Sequence, residues 1–399
     1  MKIEIGVDVF GKDQKRILNA CFYAFFINGI NALIIGAILP SLLTEFQIGY
    51  DKGGMLISFQ SFGNLLASFL GGIISAYIGR KNAILVLSFM TSLGFLGMVV
   101  SSTPLLLIIP FFLTGIGRGS VSNLSNTIVN EVSDGNPKDL NILHTFFAIG
   151  AFIAPFFASW SLSKGFSWRF ALIVISILSA LMTIYFSTTK IENTKRTRSR
   201  KEEKGIRSLD FLKNMDFYLS AGILFFYVGV EHAVNSWIVT YLKDTGIMST
   251  SLAQKVLSIL WVIIIFGRLF VAYISKRVDK RTILLGSSIG ALIFYLLFII
   301  SSSIWAIVAC ILGLGFFLAG IYPTALSNAS RALKGSSLAM GTILAIAGLG
   351  GIVMPYITGV IAEIYGIKGG MVAVGFAASL MFLIAFINRL RKFKDASSG

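Results

Sequence analysis

The sequence predicts an all-α membrane protein, with twelve transmembrane helices arranged as two pseudo-symmetric six-helix bundles. Three observations lead there. The 399 residues are 55% apolar and 13% charged, with mean hydropathy +0.82, whereas a soluble domain is about 25% charged. Lys and Arg fall unevenly between alternate loops. Landmarks of the first half return close to 200 positions later in the second.

Apolar runs long enough to cross a hydrocarbon core of about 30 Å recur at 17–46, 53–78, 82–101, 105–131, 140–163, 168–188, 215–242, 250–275, 281–301, 304–328, 337–363 and 368–388. The opening MKIEIGVDVFGKDQKR is polar and of mixed charge, so no cleavable leader is expected. With the N-terminus placed in the cytoplasm, 26 of the 34 Lys and Arg residues lie on the cytoplasmic side. Six lie outside, and two, Arg118 and Arg268, lie within spans. This asymmetry predicts an even number of crossings with both termini cytoplasmic, as in a multi-pass protein of a prokaryotic inner membrane. The net charge of +16 is thereby assigned to topology and not to nucleic acid. Its densest stretch, Lys190–Lys213, divides the chain into 1–189, a basic linker 190–213, and 214–399. The linker is read first as a topological spacer and second as a contact for anionic lipid. Cys21 and Cys310 both sit in apolar runs and are expected to be packing thiols.

The repeat is specific. Phe25–Phe26, Gly29 and Asn31 match Phe225–Phe226, Gly229 and Glu231. Arg80–Lys81 matches Lys280–Arg281, and Gly150-x4-Pro155 matches Gly350-x4-Pro355. Gly115-Ile-Gly117 nearly matches Gly313-Leu-Gly315. Two copies with an even number of spans each have the same orientation, related by an axis along the membrane normal. Transporters built this way bind solute near midplane between the copies. The chain has two histidines, no Cys–His cluster and no phosphate-cradling GxxxxGK[ST] sequence, so neither an enzyme nor an ATP-driven pump is expected.

In its six-plus-six spans, central basic loop and short basic turns after spans two and eight, the chain resembles the major facilitator superfamily. The loop signature of that family survives as Gly72…Gly79-Arg80-Lys81, with Ala76 where the family has Asp. The resemblance implies a gate at this loop, with Arg268 and Asp279 taking more of that work in the second half. Within the superfamily, FFINGINALIIGAILP (Phe25–Pro40) and LNILHTFFAIGA (Leu140–Ala151) resemble the fucose–galactose–proton symporter group. The acids of that group fall here on Gly36 and on about Ser120. The implied function is alternating-access transport of a small polar solute, a sugar or polyhydroxyl compound first, with no cofactor beyond a proton gradient (Na+ the alternative ion). An organic-anion symporter or exchanger, a proton-driven drug antiporter, and a transporter-like sensor are the rival readings. The expected partners are a small-molecule substrate and membrane lipids, and the expected state is a monomer.

The chemistry-bearing candidates follow from position. Glu231 is an acid near midplane, where ionisable groups are costly and face a cavity or a partner. Burial disfavours the charged carboxyl, which suits it to loading and releasing a proton. Tyr227 and Asn235, four residues to either side, share its helix face. Arg118 is read as an anion contact, as a partner of Glu231 in coupling, or as half of a structural ion pair. Asn123, Asn126 and Asn130 form one stripe of span four. Asn28, Asn31, Gln60, Asn64 and His144 are further polar candidates, and Trp237 and Trp261 are candidate platforms for a sugar ring. Amides donate and accept, which fits hydroxyl-rich ligands, but each of these residues alone is equally an interhelical tie. Glu131 is expected to be solvated at a helix end. Gly71–Gly72 and Gly350–Gly351 are expected at close helix contacts.

Overall fold

The structure, a computed structural model, describes residues 11–134, 137–191, 210–333 and 336–397. Nine helices follow the expected spans closely. They are α1 Lys12–Phe46, α2 Tyr50–Ile78, α3 Arg80–Val100, α4 Ile108–Val132, α5 Pro137–Ser163, α6 Trp168–Ser187, α7 Met215–Asp244, α8 Thr250–Ile274 and α9 Lys280–Ile300. A tenth, α10, runs over Ile304–Asn328 with a break between Leu318 and Ile321. The last helical stretch, Ser337–Ser397, has 61 residues. At about 1.5 Å per residue it is far too long for one crossing. It folds back at Gly366, where φ is +74°, and Gly370 then packs against the Thr358 carbonyl. The two arms are α11 and α12, so the twelve crossings are present. Most of the basic linker, 192–209, lies outside the described residues.

Local sequence starts several of these helices. The Asn214 side chain accepts the Asp216 N–H at the start of α7, and the Ser249 hydroxyl accepts the Leu252 N–H at the start of α8, each satisfying an otherwise orphaned donor. Between α2 and α3 the chain turns at Gly79, with φ +83° and ψ 151°, a region nearly closed to residues with a Cβ.

The repeat reappears as packing. In the first half α1 crosses α5 with Gly29 against the Phe147 carbonyl and Gly150 against the Phe26 carbonyl. In the second half α7 crosses α11 with Gly350 against the Phe225 carbonyl and Gly229 beside Met354. A Cβ at Gly29, Gly150 or Gly350 would overlap backbone of the facing helix. Small residues of this kind let membrane helices approach closely. The helix ends repeat as well. Asp13 pairs with Lys190 at 3.1 Å, and Asp216 takes Arg391 at 3.4 Å and Arg281 at 2.9 Å.

One expectation is refined and one corrected. Glu131 is exposed at its helix end as expected, and there Arg80 donates to both its carboxylate oxygens, one at 2.8 Å. The signature loop thus keeps a charge tie to α4 although Ala76 replaces the family's Asp. Gly71 and Gly72 make no close helix contact, since a Cβ at either would meet nothing within 4 Å, whereas Gly350 and Gly351 do, against Phe225 and His232.

Candidate functional site: a charged hollow at the seam

The halves meet along α1–α7, α2–α11 and α5–α8. Toward the end remote from the termini this seam is sealed. Gly36 of α1 lies against the Asn235 carbonyl of α7, and Gly54 of α2 against Pro355 and Gly359 of α11. Gln254 donates to the Ala37 carbonyl at 2.8 Å, the Ser159 and Ser251 hydroxyls meet at 2.7 Å, and Ser58 donates to the Ile352 carbonyl at 2.6 Å. At the rim the Tyr50 hydroxyl donates to Asp244 at 2.8 Å and the Tyr50 N–H to Glu363 at 2.7 Å. Nearer the termini, His144 of α5 and Arg268 of α8 are both exposed while still in electrostatic contact across the seam. The hollow therefore opens toward the terminal end.

Glu231 stands on the wall of this hollow. It is partly accessible to a water-sized sphere although protein surrounds it. Arg268 is its strongest electrostatic neighbour, followed by the Tyr227 side chain one turn away and then by Arg118 from the opposite half. Tyr322 of α10 also bears on it, with its ring 6.1 Å from that of Tyr227. Sequence reasoning passed over Tyr322; a tyrosine deep in an apolar span was the signal. Among the described residues no ion pair joins Glu231 to either arginine, so a locking salt bridge is not what holds it. His232 turns the other way, with its ring wedged against Gly351 of α11, near enough to Arg118 to feel its charge.

The remaining candidates divide by what their polar atoms meet. Asn31, Gln60 and Thr114 form a closed knot. Asn31 donates to the Thr114 carbonyl at 3.0 Å, and Gln60 donates to Asn31 Oδ1 and Thr114 Oγ1, each at 3.1 Å. All three are buried, so the knot ties α1, α2 and α4 instead of facing the hollow. Trp237 is wholly buried and donates to the Pro355 carbonyl at 3.0 Å, which leaves no ring face for a solute. Asn123 donates to the Ser68 carbonyl and Asn126 to that of Ser122. Asn28 is buried with Oδ1 unpartnered. Trp261 donates to Asn235 Oδ1 at 3.2 Å, and its ring packs on Phe147. Asn64 and Asn235 retain partial exposure. His144 sets its ring edge-on to Phe25. Asp279 precedes α9 and receives the Thr282 hydroxyl at 3.5 Å, while Lys280 donates to the Ser327 carbonyl at 3.0 Å, reproducing in the second half the tie that Arg80 makes to α4. Lys81 is half-exposed beside that turn. The two positions that align with symporter acids cannot carry one into the hollow. Gly36 has no room for a side chain against Asn235, and Ser120 is buried with its hydroxyl on the Ile116 carbonyl.

Comparison with known proteins agrees with this architecture. A nucleoside transporter, NupG in a mutant form, superposes with a TM-score of 0.78 at 15% identity, covering 94% of this chain and 98% of its own. A bacterial homologue of the human lysosomal transporter Spinster, inward-facing and occupied, gives 0.77 at 14% identity, with 95% and 97% covered. A D-xylose–proton symporter gives 0.74 at 16%, with 93% and 96% covered. Protein TsgA of Escherichia coli O6:K15:H31 is 23% identical over 395 residues, covering 94% of this chain and 96% of its own. Bypass of stop codon protein 6 of Saccharomyces cerevisiae is 23% identical over 386 residues, covering 88% and 77%. The Major Facilitator Superfamily sequence model matches residues 21–337, and with the twelve-helix duplicated bundle this places the chain in the major facilitator superfamily, a family of transporters and not of enzymes.

Proposed function

We propose that the chain is a proton-coupled secondary transporter of a small polar, hydroxyl-bearing solute, working by alternating access at the seam. The observation that carries this reading is Glu231: a midplane acid that reaches the hollow and, among the described residues, forms no ion pair. Such a carboxyl can exchange a proton with water in the hollow and feel a solute beside it. The groups that bear on its charge come from four helices: Tyr227 of α7, Arg268 of α8, Arg118 of α4 and Tyr322 of α10. The seal at the remote end and the opening at the terminal end are one side of the required cycle. Positive-inside loops make the open side cytoplasmic. The solute class is supported by the nucleoside and D-xylose–proton transporters that share the fold, and by the free donors of Asn64 and Asn235. No cofactor beyond the ion gradient is needed, and each chain holds a complete site, as a monomer would.

The test is transport in proteoliposomes with an imposed pH gradient. Glu231→Gln abolishes uphill accumulation while solute exchange persists. Accumulation by the Glu231→Gln protein at the parent level refutes the assignment.

A further inference from the structure

Outside the hollow, Arg80 pairs with Glu131, Arg169 with Glu45, and Arg281 and Arg391 with Asp216. The two arginines of the spans differ from these four. Arg118 of α4 and Arg268 of α8 have neither an ion pair nor a hydrogen bond among the described residues, yet both act electrostatically on the same carboxyl, Glu231. Two guanidinium groups thus share one acid, and the hollow carries an excess positive charge. A guanidinium cannot shed its charge and presents five donors in a planar fork matched to an oxyanion. Arg118 is partly buried within its span, where an unpaired charge is costly, and an anion bound there and reached by the exposed Arg268 offsets that cost.

Resting on the reading that this hollow is the transport site, we infer that the transported solute carries a negative charge, as a carboxylate or phosphate held between Arg118 and Arg268. The two arginines belong to different halves, so the anion would bridge the seam at the level of Glu231. Asn64 and Asn235 remain for the hydroxyls. Charge counting gives a further consequence. The empty carrier holds two arginines and an ionised Glu231, for a net charge of +1. The loaded carrier holds two arginines, a protonated Glu231 and a monoanion, again +1. Cotransport of one proton with one monoanion is then electroneutral, whereas cotransport of a proton with a neutral sugar moves charge.

The test uses matched pairs of one carbon skeleton: D-gluconate and glucose 6-phosphate against D-glucose and D-glucitol, and D-glycerate against glycerol. Thermal unfolding of the purified protein is measured with each. The anionic member of a pair raises the midpoint and the neutral member does not, and gluconate against glucose 6-phosphate separates carboxylate from phosphate. Arg118→Gln or Arg268→Gln weakens that binding about 10- to 150-fold, the range for hydrogen bonds to charged groups, and the Lys variants restore part of it. A second readout needs no solute. Removing an unpaired cation by Arg118→Met raises the unfolding midpoint of the empty protein, whereas removing a structural tie lowers it. A response to the neutral members or to no member of any pair, or a lowered midpoint for Arg118→Met, overturns the inference. Proton-driven uptake of a neutral sugar that responds to membrane potential would do so too while leaving the role of Glu231 standing; loss of all proton coupling would instead strike the underlying reading.

Discussion

Gly36 offers a direct probe of the sealed end. Adding a methyl group there, as in Gly36→Ala, overlaps the Asn235 carbonyl oxygen and brings the new carbon to 3.0 Å from both the Asn235 carbonyl carbon and Ser236 Cα. These are backbone atoms of a packed helix and cannot rotate away, so α1 and α7 must part. Overpacking of this size costs about 1–3 kcal/mol, equivalent to about 5- to 150-fold in a two-state equilibrium. The penalty falls on the conformation described here. A conformation with the halves apart at this end does not make the contact. Gly36→Ala is therefore expected to raise the population open at the remote end by that factor. Ser251 sits in the seal, so Ser251→Cys reports it by its rate of maleimide labelling in detergent. The native thiols give little background, since Cys21 and Cys310 are buried. Gly72→Ala is the matched control, because its new Cβ meets nothing within 4 Å. Equal labelling rates in the Gly36→Ala and Gly72→Ala backgrounds would show that the crossing is not a barrier to opening.

Other substitutions test the scaffold. Gly366→Ala forces a Cβ into a backbone region almost reserved for glycine and should cost about 1–3 kcal/mol, seen as a lower unfolding midpoint; an unchanged midpoint would mean the α11–α12 turn can relax elsewhere. Gln60→Leu strips the donor from Asn31 Oδ1 and Thr114 Oγ1, so the protein should lose about 1–3 kcal/mol while keeping its solute preference; an altered preference would return Gln60 to the hollow. Trp237→Phe removes only the indole donation to the Pro355 carbonyl, so the protein should lose about 0.5–1.5 kcal/mol with no change in which solutes are carried.

The legible and illegible parts of the site differ for physical reasons. The offset of 200 between Gly29 and Gly229, and between Gly150 and Gly350, was visible as spacing, and both pairs became matching helix crossings. Glu231 stood out because a lone acid in an apolar run has few explanations. The amides gave no such lead. Asn31 and Gln60 read as solute contacts but close on Thr114, and Trp237 read as a platform but is consumed by Pro355. An amide or indole is satisfied equally by a sugar hydroxyl or by a carbonyl of the next helix, and composition does not distinguish them. Glu131 is exposed as its place at a helix end implied, but its ion pair was not legible because Arg80 lies 51 residues away, beyond any helical period.

The sequence by itself determined the membrane-spanning class, the number of crossings and the duplication. These follow from lengths and periodicities along one chain, set by the thickness of a bilayer and the need to hydrogen-bond the backbone within each span. Only the tertiary structure decided which polar side chains tie helices together and which face the hollow, because that depends on what lies opposite each one across a crossing. It also decided that Arg118 and Arg268 converge on one carboxyl from opposite halves: attraction between charges depends on separation in space, and these two residues are 150 positions apart in the chain.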